Sequence, residues 1–228
     1  MDAPLSTILR RPPFYCLATW VAVHILKLNF VVASINDQLS YSLQDDNIES
    51  ILITIFGSML PFGFVVLPVV ATMLARSTIT CFQIANVIGV AYGSVLVFVP
   101  DQPWLLVIIV FSSVAMSRQV VYSAVFHQTG VLFGFSNYGV LLGLTNVIVS
   151  AVSLVQGPLV KWSEQRSSYR GANLILLALT LPLFGLVYGT VVREPDTTRR
   201  KAPTEGTPLL PKSAQTKTRS LSDAGVLA

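Results

Sequence analysis

Charge is scarce in this sequence. Asp, Glu, Lys and Arg together make up 11% of its 228 residues, against roughly 25% in ordinary soluble domains. Side chains that few cannot face water all round, which excludes a soluble globular domain. Cysteine is nearly absent as well: Cys16 and Cys81 both fall in apolar segments, where a thiol behaves as a small hydrophobe, so neither a disulfide framework nor a metal site is expected. The two histidines, His24 and His127, have no carboxylate or thiol close by in sequence, and no phosphate-loop or metal-ligand spacing occurs. An enzyme is therefore not expected, and no cofactor is implied.

What the chain has instead is apolar length. Hydrophobic residues make up 53% of it, and the charges crowd into the ends and connections. That leaves runs of about 20 residues, enough to cross a hydrocarbon core of roughly 30 Å. Six spans are predicted, over 14–35, 48–74, 79–99, 104–126, 139–160 and 171–192. The first run follows Arg10, Arg11 and Pro12 and exceeds a signal-peptide core of about 7–15 residues, so it reads as a span. The expected organisation is a cytoplasmic segment 1–13, a six-helix transmembrane domain 14–192 and a disordered cytoplasmic tail 193–228, rich in Pro, Thr, Ser and Lys.

The net charge of +4 owes much to that tail, with Arg193, Arg199, Arg200, Lys201, Lys212, Lys217 and Arg219. A membrane-proximal tail accounts for it better than nucleic acid does. Basic residues near span ends put Arg10, Arg11, Arg76 and the tail on one side, with Asp37, Asp45, Asp46 and Asp101 on the other. Both termini are then cytoplasmic, against the dissent of Lys161, Arg166 and Arg170.

Ionisable groups at bilayer depth cost about 2.5–3.5 kcal/mol on insertion scales and usually face a cavity or a partner. Span one holds His24 and Lys27 on one helix face, which continues to Ser34 and Gln38. Arg118 lies about 14 residues into span four, roughly 21 Å from its start. Its guanidinium offers a bidentate seat to a carboxylate; the competing role is structural, pairing with helix carbonyls. Asn146, Ser150 and Ser153 share a face of span five, suited to a path or to helix packing. Gly89 with Gly93, Gly139 with Gly143 and Gly185 with Gly189 read as close helix contacts. Pro61, Gly63 and Pro68 mark span two as bent or broken. Spans one, four and five carry most of the polar side chains and span six almost none, which suggests a watered path beside a lipid-facing sixth helix.

The stretch from Asn137 through Asn146, followed by Ser150 to Gln156 and Pro158, resembles the eleventh helix of the large neutral amino acid transporters, solute carrier family 43. Ala33 to Gln38 and Ile55-Phe56-Gly57 are similar too. These belong to the major facilitator superfamily, so the resemblance implies a C-terminal six-helix half of a twelve-helix fold. Arg76 is kept after span two, but the Gly and Asp pattern usual in that loop is missing. The resemblance implies alternating-access movement of large neutral amino acids, with spans one, two, four and five lining the path and three and six outside. Arg118 would seat the carboxylate, with Lys27, His24, Tyr122 and Asn146 as further substrate-binding candidates and Phe56 and Phe126 adding apolar surface. The expected partners are the bilayer, a neutral amino acid, and a second six-helix half or a second copy, without nucleic acid. The alternative is a non-transporting scaffold or regulator derived from a transporter half. Glu205 to Leu210 fits an acidic dileucine address, so the plasma membrane and a lysosomal or vacuolar membrane are both open.

Overall fold

In hydrocarbon an apolar run must satisfy its backbone groups internally, and a helix does so within one segment. The computed structural model describes residues 8–43 and 46–190, and among these the chain is helical with no strand. Span one is Pro12–Ser42. Span two is broken into Asp46–Met59, a 3-10 turn Pro61–Val66 and Leu67–Arg76. Thr78–Phe98, Pro103–Phe133, Tyr138–Gln165 and Arg170–Thr190 make spans three to six. Five of these are each long and apolar enough to cross a membrane, and the two arms of span two qualify together. Over the described residues the chain has the helical, multi-pass build of a membrane protein.

Local chemistry sets the joints. Pro61 and Pro68 withhold backbone donors from the middle of span two, and its arms meet at 42°. Gly63 sits there against the backbone carbonyl of Ala115, where a Cβ has no room. Ser77 caps span three by accepting from the Thr80 amide at 3.3 Å. Gly134 ends span four at φ 73°, a conformation that glycine adopts without steric cost. A π-helical stretch over Leu106–Phe111 near the start of span four rotates everything after it by about 100° relative to an ideal helix.

Three helices overrun their expected ends. Span one continues through the polar run 36–42, because Gln38 is buried against Asn173 and does not need a loop to reach water. Span four runs on to Phe133, with Gln128 donating to the Thr190 carbonyl at 3.0 Å. Span five includes Lys161 to Gln165. The tail from 193, including the dileucine-like Glu205 to Leu210, lies outside the described residues.

Span one is the centre of the bundle. In the most apolar stretch of each helix, 67% of residues are buried in span one and only 17% in span five. Trp20, Phe30, Phe82, Tyr92 and Phe111 are wholly enclosed in the interior.

Candidate functional site

The buried polar groups form a seam where span one meets spans three and six. Trp20 Nε1 donates to Asn86 Oδ1 at 2.9 Å, and His24 Nε2 lies 2.9 Å from the same oxygen. An amide oxygen only accepts, so His24 carries its proton on Nε2. One turn on, Lys27 Nζ donates to the Gly89 carbonyl at 2.5 Å and to Thr180 Oγ1 at 3.2 Å, and lies 4.5 Å from the centre of the Tyr92 ring. Lys27 is 2% exposed and stands 15 residues from both Pro12 and Ser42, the ends of its helix. No carboxylate joins it among the described residues; its partners are a carbonyl, a hydroxyl and an aromatic face. The Tyr92 hydroxyl is buried without a partner there.

Two turns further along, Ser34, Gln38 and Asn173 repeat the pattern. Gln38 Nε2 donates to Ser34 Oγ at 2.7 Å, and Asn173 Nδ2 donates to Gln38 Oε1 at 2.8 Å. Phe30 and Leu176, both enclosed in one apolar cluster, lie between the two polar groups along their helices. Beyond Gln38, the Tyr169 hydroxyl donates to Asp37 Oδ2 at 3.3 Å. Burial pushes the Tyr169 phenol above its ordinary range, and the Asp37 carboxylate adds to the shift. It therefore stays protonated, the form that can donate.

Arg118, Tyr122 and Asn146 are placed elsewhere. Arg118 is exposed, 15 residues from both Pro103 and Phe133 and hence at the middle of span four. It has no ion pair among the described residues. Asn146 and Ser150 are exposed on span five, while Tyr122 is half-buried with its ring 6.0 Å from that of Phe126. The sequence-read candidates thus divide. His24 and Lys27 are enclosed against spans three and six, while Arg118 and Asn146 stand on uncovered helix faces.

Asn86, Thr180, Asn173 and Tyr92 were not among the sequence candidates. Asn173 and Thr180 are seven residues apart on span six, matching Lys27 and Ser34 on the antiparallel span one, a pattern readable only once the helices are paired. Span six is therefore more than a lipid-facing helix, since Asn173, Thr180 and Thr190 are all buried. Gly89 and Gly93 do not serve contact alone, because a Cβ on either would press on His24 or Lys27.

No protein-family model matches the chain. Over 194 residues it is 28% identical to Protein FMP42 of Saccharomyces cerevisiae, an alignment that takes in 81% of this chain and 37% of FMP42. The chain thus spans little more than a third of that relative's length. No solved structure matches it.

Proposed function

We propose that this chain moves a small carboxylate-bearing solute across a membrane by alternating access, with large neutral amino acids as the substrate class. The path would be completed by a second six-helix half or a second copy, as in the major facilitator superfamily. The observation that carries this reading is Arg118, an exposed guanidinium midway along an apolar helix. A cation held at that depth against lipid costs about 2.5–3.5 kcal/mol on insertion scales. Water or another protein surface covering that face removes the cost. Asn146 and Ser150 add exposed polar groups on span five, and the bend at Met59 to Pro61 is of the kind transporters use in gates.

A scaffold that does not transport is the second reading. It is favoured by one observation, that His24 and Lys27 are consumed in helix packing. Uptake of labelled leucine into liposomes separates the two. With the purified chain, alone or with its complementary half, leucine should exchange across the membrane and Arg118→Ala should abolish the exchange. Counts equal to those of protein-free liposomes would leave the scaffold.

A further inference from the structure

The end of the bundle formed by the span one C-terminus, the turn after span three and the connection before span six encloses a polar cavity of about 320 Å³. That volume is at the lower end of small-molecule sites, about 300–1,000 Å³, and suits a solute of amino-acid size. Gln38 and Asn173 line it, and they are 6% and 3% exposed. Their mutual bond uses one hydrogen of the Asn173 amide and the Gln38 carbonyl oxygen. The Asn173 amide oxygen takes part in no hydrogen bond among the described residues, so it remains available to a donor. Arg170, from the start of span six, and Asp101, from the turn after span three, contribute opposite charges from different segments. Tyr41 and Tyr169 add two rings with centroids 5.8 Å apart, and Ser167 turns the chain at φ 47° to bring Ser168, Tyr169 and Arg170 to the wall.

We propose that this cavity binds the zwitterionic end of a free amino acid, at a site separate from Arg118. The carboxylate goes to Arg170, and the ammonium goes to Asp101 and the spare oxygen of Asn173. A lone anion meets Asp101 and a lone cation meets Arg170, so a solute carrying both charges is the one that satisfies both walls. The polar lining disfavours an acyl chain. The choice of amino acids as ligands rests on the transport reading; the site does not.

The test is equilibrium binding of labelled leucine to the purified full chain in lipid nanodiscs, carried out in the Arg118→Ala background so that only this cavity is read. Binding should persist there and weaken at least tenfold in Arg170→Gln and in Asp101→Asn. Unlabelled 4-methylpentanoate and isopentylamine, which each keep one of the two charges, should fail to compete. Both substituted side chains are exposed, and monodisperse elution checks that the fold is retained. Unchanged binding in both variants, or none in the starting protein, overturns the proposal. Leucine binding that depends on Arg170, with no uptake by the chain that keeps Arg118, would uphold the cavity and remove the transport reading. Uptake by the chain that keeps Arg118, indifferent to Arg170→Gln and Asp101→Asn, with binding in the Arg118→Ala background also unchanged, would do the reverse.

Discussion

Lys27 occupies its site because Gly93 has no side chain. A Cβ at position 93 would lie 2.7 Å from Lys27 Nζ and 3.2 Å from Leu177 Cδ1, and moving the ammonium aside would break its bonds to the Gly89 carbonyl and Thr180. Gly93→Ala should therefore destabilise the protein by about 1–3 kcal/mol, the usual cost of overpacking. In a Lys27→Met background the same substitution should cost at least about 0.5 kcal/mol less, since groups in contact do not contribute additively. Thermal unfolding of the four proteins in detergent measures the cycle, and strict additivity would refute the contact. The glycine spacing was visible in the sequence, as was the presence of a cation at mid-helix. Which side chain the glycines admit was not, because that depends on the rotation of span one against span three.

Among the elements, span two departs most from a straight helix, and Gly63 is its tightest point. Its missing side chain lets the bent helix rest on the Ala115 carbonyl of span four, a backbone atom that cannot turn away as a flexible side chain would. Gly63→Ala should lower stability by about 1–3 kcal/mol. Gly57→Ala, one helical arm away with nothing within 4 Å, should be neutral or slightly stabilising, by up to about 1 kcal/mol from helix propensity. Comparing the two melting temperatures checks the claim, and equal shifts would count against it. The bend was legible from Pro61, Gly63 and Pro68. The π-helical turn in span four was not, because Leu106 to Phe111 is an unbroken apolar run with no proline or glycine to mark it. That turn rotates Arg118, so counting from the start of the helix could not assign the face it shows.

For the whole molecule, the difference between a buried and an uncovered cation is directly testable. In a Cys16→Ala, Cys81→Ala background, single cysteines at Arg118 and Asn146 should react with a membrane-impermeant maleimide in proteoliposomes. A cysteine at Lys27 should react only after unfolding. If Arg118→Cys labels no faster than Lys27→Cys, the face of span four is sealed by lipid and the transport reading loses its support.

The scarcity of charge and the lengths of the apolar runs were enough to specify a helical, multi-pass membrane protein, because hydrocarbon leaves a single chain few ways to satisfy its backbone. They also located the rare polar groups. Only the tertiary structure decided what those groups do. It turned His24, Lys27 and Gln38 toward spans three and six, left Arg118 and Asn146 uncovered, and gathered Asp101, Arg170 and Asn173 around one cavity. Side-chain partners in a bundle follow from helix rotation and pairing, and a one-residue change in register, such as the π-helical turn, redirects a whole face without altering composition or hydropathy.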